Sequence, residues 1–166
     1  MTKQAPDTID LLDADHLAVH AMLQSYRELV RMRAGALQRR ALAEEICMEL
    51  TIHARLEEEL LYPALREALQ DEDLLDEAED QHGSQRELVA QILASAPEDP
   101  LYDARVAALA EYVERHVRQE REQVFNRALA SRLDLQSLAR ALAVRKDELR
   151  AVSDALREDA LASAHA

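Results

Sequence analysis

The sequence predicts an all-α protein, an up-down-up-down four-helix bundle with an additional C-terminal helix. Three observations predict it. Alanine, leucine, glutamate and arginine dominate the 166 residues, while only 2 glycines and 4 prolines interrupt them. Apolar residues recur at spacings of three and four over long stretches. The breaks between stretches are short, and long helices with short connections close into an antiparallel bundle. The length suits one domain, residues 1–166, with the bundle over about 8–130 and the extra helix over about 134–160. With no tryptophan and 1 phenylalanine, its core must be aliphatic.

Asp7 or Thr8 caps the first helix. Ile9, Leu12, His16, Val19, Leu23, Tyr26 and Val30 share one face of it. Gly35 is the expected stop. The second helix runs from about Leu37 to Gln70, with Leu42, Ile46, Leu50, Leu60 and Leu61 inward. Pro63 lies inside it and should kink it, because proline removes a backbone donor. A third helix covers about Asp71 to Ala94, and SAPEDP, 95–100, is the clearest loop. The fourth covers about Leu101 to Ala130. Asp134 caps the fifth, whose stripe is Leu135, Leu138, Leu142, Leu149 and Val152. That stripe should pack on the bundle, with a dimer contact as the alternative. The tail ALASAHA should fray, and His165 within it is given no role.

The formal net charge is −13, which repels phosphate backbones and anionic lipid and argues against nucleic-acid or membrane partners. Cys47 is the single cysteine, so no internal disulfide forms. The start, MTKQAPDTID, has no apolar signal-peptide core, and no stretch reaches the roughly 20 apolar residues of a membrane span. The expectation is a cytoplasmic protein, monomer or homodimer.

Chemistry enters through a repeat. HARLEEELLYP, 53–63, sets His53 and Glu57 one helical turn apart. HVRQEREQVF, 116–125, sets His116 and Glu120 at the same spacing. An aromatic follows each glutamate at equal distance, Tyr62 and Phe125, and Pro63 matches Asn126. A histidine precedes each pair on the previous helix, His16 in DADH and His82 in EDQH. The chain thus reads as two helical hairpins, each carrying H…HxxxE. An antiparallel bundle brings the inward faces together, so four imidazoles and two carboxylates converge on one core site. Two buried carboxylates without partners would each cost several kcal/mol, and bound cations remove that cost. One histidine or one HxxxE alone would mean little; the doubled set points to a buried metal site.

No cysteine joins the set, and six nitrogen and oxygen donors do not resemble a four-coordinate structural zinc site. Calcium and magnesium prefer all-oxygen shells. Imidazole with bridging carboxylate suits a pair of iron ions, with manganese as the alternative.

H…HxxxE…H…HxxxE on a four-helix bundle resembles the hemerythrin-like HHE cation-binding family, over about residues 8–130. The matched positions are His16, then His53 and Glu57 in HARLEEELLYP, His82, and His116 and Glu120 in HVRQE. LDLQSLARALAVRKDEL also looks like family tails. The resemblance implies a non-haem di-iron centre bridged by an oxo or hydroxo group and two carboxylates. The oxygen-carrying members have HxxxH on the third helix and HxxxxD on the fourth. Here position 86 is arginine and the second acid is Glu120, so the resemblance is to the broader HHE group. It implies a protein that binds or senses oxygen, nitric oxide or peroxide.

His20, one turn after His16, is a possible additional ligand that would make one iron six-coordinate; a solvent-facing His20 is the preferred reading. Tyr26 and Tyr112 could reach the site, with core packing preferred. Asp13 and Glu79 each stand three residues before a first-position histidine. They are expected as outer partners of those histidines or as solvated helix residues. Alternatively Asp13, His16, Glu79, His82, Glu57 and Glu120 form the ferritin-like pattern of a ferroxidase or peroxide-consuming enzyme. That pattern leaves His53 and His116 unexplained. A third reading is an interaction protein whose metal only stabilises the bundle.

Overall fold

The structure, a computed structural model, describes residues 4–163; His165 lies outside them. Among the described residues there are helices and no strands. The chain runs α1 (Thr8–Arg31), α2 (Ala36–Leu56), α3 (Tyr62–Leu69), α4 (Glu72–Ala94), α5 (Tyr102–Gln119), α6 (Asn126–Ala130), α7 (Leu135–Ala151) and α8 (Ser153–Ala162). π-helical turns at Glu57–Leu61 and Glu120–Phe125 join α2 to α3 and α5 to α6. The bundle has four rods: α1, α2–α3, α4 and α5–α6. Around its ring α1 packs on α2, α2 on α4, α4 on α5, and α5 back on α1.

Local chemistry sets the ends. Asp7 caps α1 in a reciprocal pair with Asp10, with bonds of 2.9 and 3.0 Å. Asp71 caps α4 and Asp134 caps α7, through the backbone N–H groups of Leu74 and Ser137. The α1–α2 reversal departs from expectation. Its left-handed residue is Arg33, with φ 55°, and Gly35 is extended and starts α2.

Pro63 also acts differently from the expected kink. It sits in the first turn of α3, just past a π turn. The second hairpin makes the same π turn with Asn126 at the matching place, so proline does not cause the widening. What the two turns share is a buried glutamate at the start, Glu57 or Glu120. π turns inside α-helices recur at functional sites.

The expected fifth helix is two helices. It breaks at Val152 (φ −113°, ψ 27°), so α7 lies on α1 and α2 while α8 crosses to α2 and α4. The break lets Leu149 and Leu156 both enter the core and leaves Val152 half exposed. Val30, also expected inward, is exposed near the end of α1.

The core is layered. One apolar cluster holds Ile9 and Leu12 of α1, Leu56 of α2, Leu75 and Ala78 of α4, and Val124 and Phe125 of the second π turn. The other holds Val19 and Leu23, Ile46 and Leu50, Val89 and Ile92, and Leu109 and Val113. Each rod passes from one cluster to the other, and neighbouring rods do so in opposite directions. At the crossing each rod carries one histidine, His16, His53, His82 or His116. The histidines therefore form a polar layer between two apolar ones. No helix among the described residues is long and apolar enough to cross a membrane.

Candidate metal centre

All four imidazoles are buried, as are Glu57 and Glu120. Each ring turns its Nε2 inward. The Nε2 atoms of His16 and His53 are 3.0 Å apart. Glu57 Oε1 lies 2.9 Å from His53 Nε2 and 3.4 Å from His82 Nε2. Glu120 spans the layer: Oε1 is 3.2 Å from His16 Nε2, and Oε2 is 3.1 Å from His116 Nε2. Two donor groups result. One is His16, His53 and Glu120; the other is Glu57, His82, His116 and Glu120, and within each the donor atoms lie within 4.8 Å of one another. Glu120 belongs to both.

The outer nitrogens are equally ordered. His16 Nδ1 lies 3.2 Å from Asp13, His53 Nδ1 3.2 Å from Asp15, and His82 Nδ1 3.0 Å from Glu58. His116 Nδ1 lies 2.7 Å from the Gln81 side-chain oxygen. An acceptor on Nδ1 keeps the proton there and leaves the Nε2 lone pair facing the centre, the arrangement that orients a metal-binding histidine. Each of the three carboxylates is held in turn by a cation. Arg121 donates to Asp13, Arg86 to Glu58 and Lys146 to Asp15. Gln81 instead donates to Gln119 across α4 and α5.

This donor set fits a cation. Lone pairs from two outward-donating imidazoles face each other at 3.0 Å, which is repulsive unless something positive lies between them. Glu57 Oε1, Glu120 Oε1 and His116 Nε2 are buried and lack a hydrogen-bond partner of acceptable geometry. Such orphans are expensive unless an ion satisfies them. Without metal, protons supply the positive charge. Burial opposes the charging of His53, but Glu57, Asp15 and Glu120 outweigh it and hold its imidazolium well above the ordinary range. Burial also opposes the charging of His82, yet Glu57 and Glu58 raise it to about 9. Glu120 is pushed up by burial, but His116, His16 and His53 prevail and keep its carboxyl well below the ordinary range.

The structure brings His16, His53, Glu57, His82, His116 and Glu120 together and leaves His20 outside. His20 is exposed and lines a 580 Å³ groove between α1 and α5, in neither donor group. Tyr26 turns away and donates to Asp103 at 2.6 Å. Tyr112 donates to the Gln81 backbone carbonyl and stacks on His116. Cys47 is buried in the apolar cluster, where burial pushes its thiol to about 12. Asp13 takes the expected outer place. Glu79 is instead the solvated helix residue that was the alternative, paired with Arg66 at 3.2 Å, and Glu58 stands behind His82. The ferritin-like set is therefore not assembled, since Asp13 faces an outer nitrogen and Glu79 is remote.

Sequence reasoning missed the role of Tyr62. Its ring stacks on His82 at 5.4 Å, while Phe125 stacks on His16 at 5.5 Å. Each hairpin's aromatic thus covers the first histidine of the other. The Tyr62 hydroxyl lies 3.5 Å from Glu57, 3.4 Å from His82 and 3.3 Å from Glu120. Burial and those carboxylates hold its phenol well above the ordinary range, so it stays a proton donor. Matching aromatic positions with unlike hydroxyls was the available signal. Asp15, Gln81 and Lys146 had none, because their partners lie on other helices.

Comparison with known proteins gives three findings. The Hemerythrin HHE cation binding domain family matches residues 7–128. A hemerythrin HHE cation binding domain-containing protein from Mycobacterium kansasii, solved by crystallography, superposes with a TM-score of 0.77. It shares 21% identity and the match covers 95% of this chain and 100% of that one, so it bears on the fold. A protein of Nostoc sp. (strain PCC 7120 / SAG 25.82 / UTEX 2576) named DNA nickase is 40% identical over 81 residues. The shared stretch is 49% of this chain and 23% of that protein.

Proposed function

The chain belongs to the hemerythrin HHE cation-binding family, and from that premise we propose that it holds two iron ions in the polar layer and binds or senses oxygen, nitric oxide or peroxide there. The observation that carries the reading is the ring of imidazoles, each with Nδ1 engaged outside and Nε2 turned inside. His16, His53 and Glu120 would hold one ion, and Glu57, His82, His116 and Glu120 the other, with Glu120 common to both. Manganese is the alternative metal. Bound iron supplies redox chemistry and affinity for small diatomic or peroxide ligands.

The protein's own residues do the rest. The two apolar clusters enclose the layer from both ends. Asp13, Asp15, Glu58 and Gln81 fix the ring orientations. The Tyr62 hydroxyl offers one proton beside His82, and Phe125 offers none beside His16. The two halves of the site are therefore unequal despite their matched ligands.

The relative's name, DNA nickase, is not carried over. The shared stretch is less than a quarter of that protein, and a net charge of −13 opposes approach to a phosphate backbone. A cytoplasmic location and a monomeric or homodimeric state belong to this proposal as well.

The test is metal content per chain after anaerobic iron reconstitution, with absorption spectra before and after air. About two irons per chain and a near-ultraviolet charge-transfer band on oxidation are expected. No bound metal after reconstitution overturns the reading.

A further inference from the structure

The family match ends at residue 128, before α7 begins at Leu135. Yet α7 reaches the centre. Lys146 Nζ meets Asp15, whose other oxygen lies 3.2 Å from His53 Nδ1. The lysine side chain is 22% exposed and the Asp15 side chain 10%, so this pair is shielded from water. The neighbouring Arg145 donates to Glu59 at 2.7 and 3.3 Å, and Glu59 belongs to the π turn that begins with Glu57. Two consecutive cations of one helix thus grip Asp15, behind His53, and Glu59, in the π turn that begins with Glu57.

The rest of α7 is docked firmly enough to give that grip meaning. Leu142 and Leu149 are buried in the apolar cluster with Leu12 and Leu56. The buried Thr8 hydroxyl donates to the Leu135 carbonyl at 2.7 Å, which pins the start of α7 to the start of α1. Arg121 and Arg86, the counterparts behind His16 and His82, come from the bundle itself. Only the His53 ring depends on an element outside the bundle for its backing cation.

We infer that α7 is a positioning element of the metal centre: Lys146 holds Asp15, Asp15 holds His53, and metal occupancy and the docking of α7 are thereby coupled. The inference rests on the metal reading above. Coupling of this kind is reciprocal, so metal must tighten α7 by the same factor that docked α7 tightens metal.

The experiment titrates ferrous iron anaerobically into the metal-free full chain. It compares the wild type with Lys146→Met, Lys146→Arg, Asp15→Asn, the double variant Lys146→Met/Asp15→Asn, and Arg150→Met. Arg150 sits on the same helix but pairs with Glu49, away from the site. Removing an outer partner of a ligating histidine weakens metal binding about 10- to 100-fold, which is expected for Asp15→Asn. Lys146→Met acts one bond further out and should weaken binding by roughly threefold or more. Lys146→Arg should restore most of it, and Arg150→Met should match the wild type.

Two readouts separate positioning from mere stability. In the Asp15→Asn background, Lys146→Met should have no further effect on affinity, because its route to His53 is already cut. Iron should slow amide exchange across α7 in the wild type and not in Lys146→Met. Wild-type affinity in Lys146→Met, or a loss that adds in full to that of Asp15→Asn, overturns the inference and leaves the metal reading intact. Failure of the wild type to bind iron overturns both.

Discussion

Replacing Glu120 by glutamine tests the centre most sharply. The change keeps size and shape and removes one charge from a residue that is 2% exposed. Glu120 is the one side chain common to both donor groups. Its two oxygens lie 3.2 Å from His16 Nε2 and 3.1 Å from His116 Nε2. An amide offers only one oxygen, and its NH₂ group cannot ligate. The variant should therefore lose affinity on both sides of the layer. In the wild type, free iron at about a hundred times Kd stabilises the fold by about 2.7 kcal/mol per site. For a chain of this size each occupied site raises Tm by roughly 5–10 °C. Glu120→Gln should abolish most of the rise while keeping the helical signal of the metal-free state. The assay is thermal unfolding with and without iron, alongside bound iron per chain. Wild-type iron content with an undiminished rise in Tm would refute the assignment of Glu120 as the shared ligand.

Three further outcomes are expected. Tyr62→Phe makes the two hairpins alike; it keeps the ring on His82 and should leave stability within about 1 kcal/mol, since only weak hydrogen bonds are lost. Spectra of its iron-loaded form should shift on exposure to oxygen or azide, and unchanged spectra would remove the hydroxyl from the site's chemistry. His20→Ala should leave iron content unaltered, because His20 is exposed and outside both groups; a loss of bound iron would make it a ligand. The metal-free protein should weaken as pH rises. His82 titrates at about 9 in the fold against 6.5 for an ordinary histidine, so the stability it contributes is whole below 6.5 and gone above about 9. Urea unfolding in chelator at several pH values checks this, and stability that rises over that window would contradict it.

Much of the fold is legible in the chain because helical period and antiparallel alternation are local. Ile9, Leu12, Val19 and Leu23 mark the inward face of α1 from their spacing alone. The doubled H…HxxxE works the same way. Residues i and i+4 share a face, so His53 with Glu57 and His116 with Glu120 point together whatever the bundle does. The break at Val152 is not legible, because the apolar stripe continues through it. The break exists to carry α8 across α2 and α4, a demand of packing between distant segments.

The sequence by itself determined the helical class, the two hairpins and the six side chains that face one another. Short-range geometry and burial suffice for those. Only the tertiary structure decided how those side chains are held. Asp13 was readable because it lies one turn from His16 on the same helix. Its apparent twin, Glu79, is drawn off by Arg66, and Glu58 supports His82 from the neighbouring rod. Asp15 meets His53, Gln81 meets His116, and Lys146 meets Asp15 only across helix boundaries. Such contacts depend on the rotation and crossing of whole helices, which no local pattern records.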